Sequence, residues 1–110
     1  MGDEKISDTE QAISQLQIIE QSLQNLLSQK HQFQIQLVEI TSALKELDIA
    51  KESYKIIGNI MVLIERDELK KDLESKKSVV ELRIKSIEKQ ENQIREKSEK
   101  LRAKVMEKMK

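Results

Sequence analysis

His31 is the one histidine of this 110-residue chain and there is no cysteine, so a metal centre or an activated nucleophile would have to be built around a single imidazole. His31 sits between Lys30 and Gln32 with no second ligand at a useful spacing, and reads as a solvated side chain. Gly2 and Gly58 are the only glycines, too few for a loop whose backbone cradles a phosphate. The 20 Asp and Glu residues are interleaved with 20 Lys and Arg residues, the pattern of exposed ion pairs on helix faces. No carboxylate pair stands out as an acid and base. The expectation is a protein that is not an enzyme and carries no cofactor. What remains chemically distinctive is apolar: the run from Tyr54 to Ile64, and isolated apolar residues near both termini, Ile6, Ile13 and Ile18 at the start and Val105, Met106 and Met109 at the finish.

The elements that would position these groups follow from composition and periodicity. Aromatics make up 2% of the chain, charged residues 36% and hydrophobic residues 37%, with no proline, which favours long helices pairing along a seam over an aromatic-filled core. In the first half Leu16, Leu23, Lys30, Leu37 and Leu44 recur every seven residues, and Ala12, Ile19, Leu26, Phe33, Ile40 and Leu47 form the companion row. Such a seam, sustained for about five heptads, specifies a coiled coil. A helix is expected over about 8–51, close to 65 Å at 1.5 Å per residue. The second half repeats the pattern with Leu73, Val80, Ile87, Ile94 and Leu101, supported by Leu69, Ile84 and Val105. Asp67 and Glu68 suit a first helical turn, so this helix is expected over about 67–108. Lys77, Glu91 and Ser98 fall where a tight seam would want Leu or Ile, and predict looser packing along its outer part.

Helical periodicity stops over 54–64. Ile, Val and Tyr cluster there around Gly58-Asn59, the two residue types that most readily take the positive φ of a tight turn, and a β-hairpin follows. The two helices then return antiparallel, with Leu47 near Leu69 and Leu16 near Leu101. Residues 1–53 hold 4 basic and 9 acidic side chains and residues 54–110 hold 16 and 11, so an acidic half lies along a basic one. Ile60 to Ile64 are five consecutive apolar residues, hence a strand greasy on both faces. One hairpin cannot bury it. Pooling hairpins from several chains into a closed or nearly closed sheet would, and the fold class expected is mostly α: a long antiparallel two-helix coiled coil joined by one β-hairpin that assembles into an oligomeric β-barrel platform. At the other extreme, Ile6, Ile13, Ile18, Val105, Met106 and Met109 do not complete a packed seam; splayed there, they would offer small apolar patches, with Met able to adapt to many shapes.

Several function classes recede. The net charge is zero and the basic residues of the second half are interleaved with Glu, which argues against nucleic acid. No stretch approaches an uninterrupted apolar span of about 18 residues and the first residues lack a basic-then-apolar signal, so a cytoplasmic location away from membranes is expected. Lys30 reaches out of the seam or fixes register, and the nine Gln between Gln11 and Gln36 are a polar helix surface.

The order of helix, Tyr54-Lys55-Ile56-Ile57-Gly58-Asn59-Ile60-Met61-Val62 hairpin, and second helix carrying Glu81-Leu82-Arg83-Ile84-Lys85-Ser86-Ile87-Glu88-Lys89-Gln90-Glu91 is similar to the β-class subunits of prefoldin, most of all the archaeal ones. The likeness covers about residues 10–105, and one apolar insert favours the β class, since α subunits follow the same plan with two hairpins. It implies one prefoldin-like domain over 1–110. It also implies a hexamer of two α and four β subunits whose hairpins form a double β-barrel, with six coiled coils hanging around a cavity. The implied function is ATP-independent capture of unfolded proteins at the coiled-coil ends and delivery to a group II chaperonin. By the same resemblance, assembly would rest on Tyr54, Ile56, Ile57, Gly58, Ile60, Val62 and Ile64, and client contact on Ile6, Ile13, Ile18, Val105, Met106 and Met109. The rival reading is a structural coiled-coil tether or scaffold with no client.

Overall fold

The protein, seen in a computed structural model that describes the backbone of residues 2–109 and the side chains of 8–108, has the order α1 (Gly2–Ile49), β1 (Ser53–Ile57), β2 (Ile60–Ile64) and α2 (Arg66–Met109). The helices begin and end within a few residues of where periodicity places them; α1 starts earlier and stops two residues sooner than expected. Its last turn closes with the Ala50 N–H donating to the Glu46 carbonyl at 3.0 Å. At the start of α2 the Leu69 N–H donates to the Glu65 carbonyl at 3.1 Å, and Asp67 and Glu68 lie in the first turn, where carboxylates meet the positive end of the helix dipole.

The described residues gather into two compact units, one drawn from Met1–Lys30 and Ser86–Lys110, the other His31–Lys85. In the second, α1 and α2 run antiparallel and the connecting hairpin is part of the unit. Leu47, Val80 and Ile84 are buried, with Phe33, Leu37, Ile40, Leu44, Leu69 and Leu73 half-buried around them. These are seam positions. The Arg83 guanidinium lies 5.6 Å from the centre of the Phe33 ring, a cation–π contact that also shields the chain's single phenylalanine. Lys70 meets Asp48 at 3.7 Å, and Arg66 donates through Nη2 to the Ala50 carbonyl, tying the end of α1 to the start of α2.

In the first unit Ile19, Ile87 and Val105 are buried, with Ala12, Leu16, Leu23, Leu26, Ile94 and Leu101 half-buried. Lys108 pairs with Asp8 at 3.3 Å, which again sets the helices antiparallel. The expected loosening at Glu91 and Ser98 is not what forms. Both are enclosed, Glu91 to 5% exposure, and in the second unit Lys77 is half-buried. The reason lies across the seam: Lys30, the one charged residue of its row in α1, brings Nζ to 2.9 Å from Glu91 Oε1. Two interruptions, one in each helix, therefore meet and neutralise each other. Arg95, one turn along α2, adds a second cation 3.6 Å from Glu91 Oε2. The Lys30 contact is a charge pairing without a well-directed hydrogen bond, since Oε1 accepts none. Of the two roles open to Lys30, the fixing of register is the one realised, because a slip by one heptad parts Lys30 from Glu91, setting Lys30 opposite Ile84 or Ser98 and Glu91 opposite Leu23 or Leu37.

Removal of one partner should cost more than removal of both. Lys30→Leu leaves the buried Glu91 carboxylate with Arg95 alone and should lower stability by about 1–3 kcal/mol; Glu91→Leu should cost less, because the longer Lys30 side chain can reach water. The double variant should match or exceed the parent in urea unfolding followed by circular dichroism at fixed chain concentration. A double variant as unstable as the sum of the singles would show that the pair has no mutual role.

Candidate assembly surface

The hairpin is built from its turn outward. Ile57 pairs with Ile60 across a two-residue loop, Gly58-Asn59, and the ladder continues through Ile56↔Met61, Lys55↔Val62, Tyr54↔Leu63 and Ser53↔Ile64. Gly58 has φ 61° and no other described residue has positive φ. Both central residues were expected to supply positive φ; only Gly58 does, which makes this a type II′ turn, with glycine at its first central position. The base is pinned by the Ser53 hydroxyl, which donates to the Ile64 carbonyl at 2.6 Å.

Because side chains alternate along a strand, the register sorts the ribbon into two faces. Ser53, Lys55, Ile57, Ile60, Val62 and Ile64 share one. Its basal part is held against α2: Lys55 Nζ lies 3.4 Å from Asp72 Oδ2, and Lys55 and Ile64 line a shallow hollow together with Leu69 and Asp72. Ser53 is buried and Ile64 half-buried, whereas Ile57 and Ile60 near the turn are exposed. Tyr54, Ile56, Met61 and Leu63 form the other face, which the described residues leave largely open: Ile56 is 70% exposed, Met61 65%, Leu63 64% and Tyr54 47%. Full burial of such a side chain stabilises by about 1.5–3 kcal/mol, so this face alone represents several kcal/mol of burial the chain cannot achieve by itself.

The Tyr54 hydroxyl donates to Glu52 Oε2 at 2.5 Å. That hydrogen bond, followed by the repulsion between the carboxylate and a developing phenolate, raises the Tyr54 pKa above the ordinary tyrosine value. The aromatic ring thus lies on the open face while its polar end is committed beside it.

All seven assembly residues expected from sequence lie in this ribbon or at its turn, but they span both faces. Met61 and Leu63, half of the uncovered face, were not among them. The signal was available: a two-residue turn at Gly58-Asn59 fixes every cross-strand pair, and pairing would have put Leu63 opposite Tyr54 and Met61 opposite Ile56. Of the terminal apolar residues, Ile13, Ile18 and Met106 are exposed, Ile18 at 66% and Met106 at 67%. Val105 is packed in the seam at 9% exposure. The side chains of Ile6 and Met109 lie outside the described residues.

With this geometry in view, comparison with known proteins gives a consistent result. A family model described as "Prefoldin subunit" matches residues 10–110. The chain is 36% identical to the prefoldin subunit beta of Archaeoglobus fulgidus over 87 residues, covering 76% of this chain and 75% of that protein. It is 35% identical to the prefoldin subunit beta of Sulfurisphaera tokodaii over 95 residues, 84% and 76% of the two chains. The crystal structure of the prefoldin beta subunit from Thermococcus strain KS-1 superimposes with a TM-score of 0.85 at 28% identity, covering 90% of both chains. The chain belongs to the prefoldin family of non-enzymatic chaperones, in its beta-subunit class.

Tyr54 is the chain's only tyrosine, so its ionisation can be followed alone by ultraviolet absorbance. Since Glu52 raises its pKa, Glu52→Gln should move the titration to lower pH. An unchanged midpoint would mean that the two side chains are not joined in solution.

Proposed function

We propose that this chain is the β subunit of a prefoldin-type, ATP-independent chaperone, a single domain over 1–110 that works in a hexamer with two α and four β subunits. The observation that carries the reading is the two-stranded ribbon with one largely exposed apolar face and exposed isoleucines, Ile57 and Ile60, flanking its turn. Tyr54, Ile56, Ile57, Gly58, Ile60, Val62 and Ile64, joined by Met61 and Leu63, form the assembly surface, where hairpins from neighbouring subunits close into a β-barrel platform. A coiled-coil tether would dimerise along its helices and has no use for such a ribbon.

Unfolded proteins are captured by apolar residues at the coiled-coil ends. Ile13, Ile18 and Met106 are the accessible members of the set; Ile6 and Met109 extend it, and Val105 joins only where the seam parts. Each end offers little apolar area, so several ends on one platform bind through effective concentration, and weak separate contacts allow hand-over to a group II chaperonin. Capture needs no nucleotide. The site of action is the cytoplasm; no described helix is long and apolar enough to cross a membrane.

Ile60→Lys should abolish assembly with an α-class subunit in light scattering while leaving most helical ellipticity; an unchanged mass would overturn the assembly reading. Trimming both termini, back past Ile18 and ahead of Val105, should leave the complex intact and at least halve its suppression of aggregation of an unfolded test protein. Full suppression after trimming would place client binding elsewhere.

A further inference from the structure

Met61 is the one oxidisable thioether in the ribbon, it is largely exposed in the unassembled chain, and its partner across the ladder is Ile56. We infer that Met61 is a redox-sensitive modification site through which peroxide prevents the free subunit from assembling, an inference that rests on the ribbon being the assembly surface. The thioether sulfur takes one oxygen atom from the peroxide, whose O–O bond breaks. Sulfur is oxidised to the sulfoxide, and hydrogen peroxide is reduced to water. The product is a strong hydrogen-bond acceptor in the middle of a face meant to be buried. No group on that face can satisfy it: Ile56 and Leu63 have no side-chain donor, and the Tyr54 proton is already given to Glu52. An acceptor enclosed without a donor opposes burial, so the modified ribbon should stay in water. Before assembly Met61 is open to oxidant; once neighbouring ribbons cover it, it is shielded. Peroxide would therefore act on newly made or dissociated subunits and spare complexes already formed, and methionine sulfoxide reductase would restore the former.

The full-length chain is treated with hydrogen peroxide alone and, separately, after mixing with an α-class subunit, with oxygen incorporation mapped by peptide mass spectrometry and assembly measured by light scattering. Met61 should gain oxygen in the free chain and resist in the complex. Oxidation of the free chain should weaken assembly by about tenfold or more. Met61→Leu, treated identically, should assemble as the untreated parent does, which separates Met61 from Met106 and the other methionines. Untreated Met61→Gln, an uncharged polar mimic, should assemble poorly. Absence of oxygen at Met61, assembly of the oxidised parent within twofold of the untreated one, normal assembly of Met61→Gln, or equal loss in oxidised Met61→Leu would each overturn the inference. The Ile60→Lys chain distinguishes the deeper failure: if it still assembles, the ribbon is not the assembly surface; if it does not while oxidised parent does, only the role of Met61 is lost.

Discussion

A two-stranded ribbon has two faces and a chain with two helices can cover only part of one. That shortage governs the rest of the molecule. Five consecutive apolar residues in β2 put hydrophobic side chains on both sides, and the tight turn at Gly58 forces β1 to lie beside them in a single register. The basal end of one face is anchored by Lys55, Asp72 and Ser53, while the opposite face remains bare. In the proposed assembly the missing layer comes from other chains.

The helices solve a different problem, that of holding register over many turns with few large side chains. Leucine and isoleucine rows supply cohesion but tolerate slippage by one heptad, since each layer resembles the next. The facing of Lys30 and Glu91 breaks that degeneracy: a pairing shifted by one heptad takes Lys30 away from its carboxylate and leaves Glu91 opposite leucine with Arg95 alone. A similar logic operates near the hairpin, where Asp48 with Lys70 and Arg66 with the Ala50 carbonyl fasten the closing turns. Stability is given up at one layer so that a single alignment prevails.

The seams, the hairpin and its turn were legible because they depend on local period and on two residue types with special backbone freedom. Every leucine or isoleucine assigned to the α1 rows is indeed among the less exposed residues of that helix. The polar layer was misread because Glu91 looks like a defect when α2 is considered alone. Only the pairing of the two helices reveals that it faces Lys30. The uncovered face was half seen for a related reason: hydrophobicity along β2 is continuous, so composition cannot separate Met61 and Leu63 from Val62 and Ile64, whereas cross-strand register can. Among the terminal residues, Val105 shares the seven-residue spacing of Ile84, Glu91 and Ser98 and packs with them, so counting it with the open patch set aside a signal the row already carried, whereas Met106, one position on, stands in water.

Lys55 is the one charged residue within the strands, and its tether to Asp72 gives the ribbon a protected side. A second ribbon laid there would have to displace the ion pair or trap an ammonium against hydrocarbon. Fibrillar stacking requires sheets to mate dry on both surfaces, layer after layer. A cationic stem on one of them opposes lamination beyond the first contact.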